Sequence, residues 1–254
     1  GPVPNLFYDF DVDDIRRDIT CIPYEWNGNP AVQVIRSVKS WNFGKLRYEW
    51  MNRRVTSTND DGINWQYMRL ADVYLMAAEA INELDGPAAA SPYLKPILDR
   101  ALPSGKVTDY LTSTTASKEA FFKAIVDQRA FEFAGESLRK ADLIRWNLLK
   151  VKLDEAKNKM RQLANREGVY ADLPERVYYQ TAADSEKIVI YGLNHGDTDE
   201  TGKSLNYESN TVWLAPDKLP EPLIDALYQK NPDENQFWPI WQTFIDKSNG
   251  VLSN

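Results

Sequence analysis

The sequence predicts a mainly α fold with long irregular loops and a few short strands, organised as one domain over residues 1–254. Three observations lead there. Apolar side chains recur at Tyr67, Leu70, Ala71, Tyr74, Leu75, Ala78 and Ile81, the period of a helix with one buried stripe. Two further runs keep that period, Phe121, Phe122, Ile125, Val126 and Phe133, then Leu149, Leu153, Ala156, Met160 and Leu163. Before residue 65 and after residue 168 the period fades into prolines, turn residues and short β-branched runs. The chain thus divides into a loop-rich aromatic segment (1–64), a helical body (65–168) and an irregular segment with a tail (169–254).

Taken in order, residues 1–64 read as irregular structure with some strand. Asp9, Asp11, Asp13 and Asp14 crowd beside Arg16 and Arg17, as in a solvated, salt-bridged turn. Val32 to Ile35 has the β-branched content of a strand, after an Asn27-Gly28-Asn29-Pro30 turn. Tyr24, Trp26, Trp41, Phe43, Tyr48 and Trp50 surround it, and half or more of these rings are expected to pack inward. The first long helix is expected over Trp65–Leu84, with Arg69, Asp72, Glu79 and Glu83 mostly off its stripe and Asp85-Gly86-Pro87 stopping it. A shorter helix follows from Ser91 to Leu102, with Pro92 at its first position. Residues 112–117 form a polar connection, and Ser117 caps the helix that starts near Lys118 and breaks at Gly135. Another starts near Leu138, and the last long one closes at Glu167-Gly168. Arg176–Tyr179 and Lys187–Tyr191 read as strands, and Glu221–Tyr228 as a short helix. Phe237-Trp238-Pro239-Ile240-Trp241 cannot be a regular helix through Pro239 and suits an apolar tail laid across the helical body.

Composition narrows the function. The chain has 254 residues, with 30 Lys and Arg against 37 Asp and Glu, for a net charge of -7. An acidic chain without a basic block is unsuited to nucleic acid, whose binding rests on phosphate neutralisation. One cysteine, Cys21, permits neither an intrachain disulfide nor a Cys-rich metal site. No apolar run is long enough to cross a bilayer. With 8 Trp and 13 Tyr, the chain is rich in rings that suit amphipathic ligands as well as cores.

Three segments together resemble the SusD/RagB family of nutrient-binding outer-membrane lipoproteins. They are Tyr67 to Ala80, with its Arg-x-Ala-Asp start at Arg69; Glu132 to Trp146, with Arg139, Asp142 and Arg145; and the closing Phe237-Trp238-Pro239-Ile240. Ser137 stands where glycine is usual and Asp127 where glutamate is usual. The resemblance implies tetratricopeptide-like helix pairs with the ligand surface on irregular loops. It implies no enzymatic activity, an outward-facing lipoprotein of the outer membrane, and delivery of glycans to a SusC-like TonB-dependent transporter. It also implies correspondence to the family's C-terminal part, with the membrane reached only through a lipid anchor outside this chain. Arg139, Asp142 and Arg145, spaced at i, i+3 and i+6, are expected to pair along or between helices.

Sugar rings offer C–H faces for stacking and hydroxyls for polar partners. Tyr24, Trp26, Asn27, Asn29 and Trp41 supply both kinds of group in one segment, with Trp50, Arg53 and Arg54 as a second group. Residues 197–208 place Asp197, Asp199, Thr201, Lys203 and Glu208 at positions one, three, five, seven and twelve, with Gly202 at six. That is the pattern of a calcium loop, although no amphipathic helix flanks it. No cofactor is required, and calcium is the one candidate. Hydrolysis is the rival class, but the single histidine, His195, lies in a turn without a nucleophile motif, and no carboxylate pair stands out. A tetratricopeptide-like scaffold for a peptide or protein partner is the other alternative; it would use a concave helical groove.

Overall fold

The computed structural model describes residues 1–47, 50, 65–183, 185–237 and 239–253. It is mainly α, with few and short strands. The helical body is built as expected, with shifted boundaries. Helix α3 (Leu70–Asp85) starts later than its periodicity suggests, because Arg69 is extended and Tyr67 is 89% exposed. Gly86, at φ 90° and ψ 176°, ends α3 and begins α4 (Pro87–Ala101), a backbone conformation that is essentially restricted to glycine. Pro87 takes the first helical turn, so α4 starts before Ser91 and carries Pro92 and Pro96 inside it. Pro92 deprives the Ala88 carbonyl of its amide donor, and Ser91 Oγ donates to that carbonyl instead, at 3.3 Å.

Pro103 does not open a loop. It precedes α5 (Ser104–Thr114), a Ser- and Thr-rich helix of which only Val107 is buried, so that its sequence resembles a polar connection. Ser117 then caps α6 (Lys118–Glu132) by accepting from the Ala120 amide. Helices α7 (Arg139–Arg145) and α8 (Leu149–Asn165) are separated by Asn147 in a positive-φ conformation. One apolar cluster gathers Leu75, Ala78, Leu94, Leu98, Phe121 and Ile125 from α3, α4 and α6. The small Ala71, Ala78 and Ala90 let α3 and α4 lie close together.

The N-terminal segment holds two helices absent from the sequence reading, α1 (Pro4–Asp9) and α2 (Ile15–Thr20). Each is a six-residue helix, too short to show a period. They lead into β1 (Cys21–Ile22), β2 (Tyr24–Asn27), β3 (Val32–Ile35) and β4 (Asn42–Phe43). The expected strand over Val32–Ile35 is β3, and the turn before it joins it to β2 in a hairpin with Trp26 opposite Gln33; β1 pairs with β4. A three-stranded antiparallel sheet places β5 (Arg176–Thr181) between β6 (Ile188–Tyr191) and β7 (Ser209–Val212). Gln33 ties the hairpin to this sheet: its amide donates to the Glu186 carbonyl at 2.8 Å, and its side-chain oxygen accepts from the Ile188 amide at 3.0 Å. A second apolar cluster, with Phe7, Trp41, Leu163, Tyr170, Val177 and Trp213, joins α1 and α8 to this sheet. The chain ends with α9 (Asp199–Ser204), α10 (Glu221–Asp225) and α11 (Gln242–Lys247). Phe237, Trp241 and Phe244 of the tail are largely exposed rather than packed across the body. Among the described residues, no helix is long and apolar enough to cross a membrane.

Candidate ligand-binding cleft

The family-like signature residues form an ion lattice. On α3, Asp72 was expected off the buried stripe, yet it is buried and accepts from Arg129 of α6 at 2.6 Å. Arg129 also donates to Asp142 of α7 at 2.7 Å, and Asp142 accepts in turn from Arg145 at 3.0 Å. Arg145 reaches back to Glu79 on α3 at 2.6 Å, and the Trp146 indole donates to the same carboxylate. Arg139 departs from the ion-pair pattern and donates to the Val126 carbonyl. The signature therefore fastens α3, α6 and α7 together.

The lattice continues to a surface cleft of about 550 Å³. Its floor is charged. Glu132, at the end of α6, accepts from Arg69 at 2.8 Å, from Arg16 at 3.2 Å and from Arg100. Glu136 accepts from Arg69 and from Lys45, each at 2.7 Å. Burial alone would raise the Glu132 carboxyl pKa, but Arg100 and Arg69 outweigh it and hold the group below its usual range. Burial pulls Lys45 down despite Glu136. The rim is apolar: Ile15 and Ile19 of α2, Leu46 and Trp65 are all substantially exposed. Gly135 lines the floor at φ 81°, and a Cβ there would meet the Phe43 ring at 2.9 Å.

The aromatic residues singled out in the sequence separate into two environments. Trp41 is core: it is 3% exposed, stacked on Phe7 at 4.7 Å and edge-on to Trp213. The others are not sealed. Trp26, on the same strand face as Tyr24, is 41% exposed, and Asn27 and Asn29 are exposed at the hairpin turn. Trp50 is 57% exposed with the Arg47 guanidinium 4.7 Å above its ring. Arg47 also donates to the Tyr24 hydroxyl at 3.4 Å and to the Asp18 and Ile19 carbonyls at 3.0 Å. Because Ile19, Lys45 and Leu46 line the cleft, Arg47 makes the Tyr24–Trp50 group its neighbour. Arg53, Arg54 and Tyr48 lie outside the described residues. Of the six rings expected to pack half inward, Trp41 alone is fully buried among those described.

Trp65, Arg100, Ile19 and Leu46 were missed as site residues. They come from four separate stretches, and only the i, i+4 spacing of Ile15 and Ile19 hints at a shared face.

The calcium pattern takes a different form in three dimensions. Residues 199–204 are helix α9, capped by Thr198, rather than a coordinating loop. Asp197 accepts from the Gly192 and Asn194 amides, and Asp199 from the Glu175 and Arg176 amides. Both carboxylates are thereby committed to holding backbone, and Thr201, Lys203 and Glu208 do not join them. Among the described residues, no three His, Cys, Asp or Glu side chains gather in a way that could hold a metal. His195 pairs with Asp172 at 2.7 Å. Burial raises the Cys21 thiol to about 12, leaving it protonated at neutral pH.

A sequence model described as the SusD family matches residues 22–254. A SusD-like protein of Formosa agariphila is 46% identical over 86 residues, covering 32% of this chain and 15% of that protein. A crystal structure of a SusD homologue from Bacteroides thetaiotaomicron aligns with a TM-score of 0.49 and 21% identity, over 65% of this chain and 36% of its own. The chain thus spans a minority of the length of each relative.

Proposed function

Because the chain belongs to the SusD family, we propose that it is a non-enzymatic glycan-binding module of a cell-surface nutrient-uptake system. In this reading it works beside a SusC-like TonB-dependent transporter, as part of a lipoprotein of the outer membrane. The observation that carries the proposal is a polar-floored cleft of about 550 Å³ with the accessible Trp65 ring on its rim and the accessible Trp50 ring held nearby through Arg47. Flat rings stack on sugar C–H faces while charged and amide groups meet hydroxyls. A shallow surface with few stacking contacts predicts weak binding, with Kd of about 1 mM.

Titrating an oligosaccharide panel while following tryptophan fluorescence tests the reading. A saturable change is expected, lost or weakened in Trp50→Ala and Trp65→Ala. Prolonged incubation should return the oligosaccharides at their original length. Release of shorter products would replace the binding role with a hydrolytic one.

A further inference from the structure

Among the described residues, the cleft floor carries one more cation than carboxylate: four cations, Arg16, Lys45, Arg69 and Arg100, meet three carboxylates, Asp14, Glu132 and Glu136. Their commitments differ. Arg16 gives Nε, Nη1 and Nη2 to Asp14, Glu132 and Gln128, and Arg69 spends its donors on Glu132 and Glu136. Lys45 donates to the Glu132 carbonyl and to Glu136. Arg100 donates through Nη2 alone among the described residues, and its side chain is 55% exposed. One Nη2 hydrogen is spent on Glu132, which leaves one of the two bidentate edges of the guanidinium, Nε with Nη2 or Nη1 with Nη2, open to a planar or tetrahedral oxyanion. On the wall of the same cleft, Thr20 buries a hydroxyl that has no partner among the described residues. The rim beside these groups holds Trp65 and Ile19.

We propose that this cleft selects an acidic sugar, one bearing a carboxylate or a sulfate ester, with Arg100 meeting the anion and Trp65 stacking on the ring. The inference rests on the glycan-binding reading and narrows it. A neutral sugar would leave the cation excess among the described residues to solvent, whereas an anionic group adds a charge-assisted pair to the one that Glu132 makes with Arg100. The chain's net charge of -7 repels such a ligand at long range, so selectivity has to come from the local fork rather than from the overall field.

The test is calorimetric titration of the full chain with three probes of similar size: trigalacturonate, a sulfated galacto-oligosaccharide and neutral galactotriose. The expected result is a Kd for at least one acidic probe about tenfold or more below that of galactotriose. The carboxylate and sulfate arms identify which anion is preferred. Arg100→Gln keeps a donor for Glu132, which also retains Arg16 and Arg69, so the fold is expected to survive and circular dichroism verifies it. That variant should lose the acidic preference, the ratio of the galactotriose Kd to the acidic-probe Kd falling to about one, while Trp65→Ala should weaken every probe. Equal affinity for neutral and acidic probes, or an acidic preference untouched in Arg100→Gln, overturns the inference and leaves the glycan-binding reading standing. Failure of this trio and of the wider oligosaccharide panel to bind overturns both.

Discussion

Ser137 occupies the position where the resembling family usually has glycine, and its backbone has φ 64°. This is the left-handed region, which costs an L-residue with a side chain about 1–2 kcal/mol. The departure from the family pattern is therefore a local strain, held between the ion-paired Glu136 and Arg139, which donates to the Val126 carbonyl. Ser137→Gly should raise the stability by about 1 kcal/mol, with the gain trimmed by glycine's greater freedom in the unfolded chain. A higher urea midpoint with an unchanged slope would verify it. Tryptophans show the same dependence on local setting. Trp41 and Trp50 are both ringed by polar sequence, but Trp41 fills the space between Phe7 and Trp213. Truncating Trp41 to alanine should cost about 3–5 kcal/mol through the cavity it leaves. The exposed Trp50 should tolerate the same change with little loss of stability. Comparing the two urea midpoints separates core from surface.

At the scale of elements, the helices with several large apolar side chains at helical spacing were legible: α3, α6 and α8 appear where Leu75, Ile125 and Met160 are buried. Short elements were not. Helices α1 and α2 depend on Pro4 at a first turn and on Asp14, whose side chain accepts from the Arg16 amide. These are contacts within one turn that leave no period. Charged positions on long helices were also misjudged, because a period reports apolar burial and says nothing of which carboxylate finds a guanidinium. Asp72 is buried because Arg129 meets it, and Arg129 is itself 4% exposed between Asp72 and Asp142. Arg129→Met should cost about 3–5 kcal/mol, since it strands Asp72 without its partner. Denaturant unfolding measures this, and a cost under about 1 kcal/mol would show that the lattice is dispensable.

At the scale of the whole molecule, the lattice links stability to pH. Glu132 and Glu79 are buried enough to raise their pKa values, but Arg100 and Arg69 in one case, and Arg145 with Trp146 in the other, hold both below the ordinary 4.5. A depressed carboxyl pKa contributes stability that is fully present above its unfolded value and is lost as pH falls through the folded value. The urea midpoint should be steady down to about pH 5 and fall steeply below it, and Glu132→Gln should make that fall shallower. By itself the sequence determined the helical class, the long periodic helices, the Val32–Ile35 strand with its preceding turn and the family, because periodicity, caps and signature spacing are local properties of the chain. Only the tertiary structure decided which rings are accessible, that Asp197 and Asp199 brace backbone amides, and that Ile19, Leu46, Trp65 and Arg100 share one cleft. Those outcomes depend on distances between residues far apart in the chain, and burial and pairing are set by what arrives from elsewhere rather than by a residue's own neighbours in sequence.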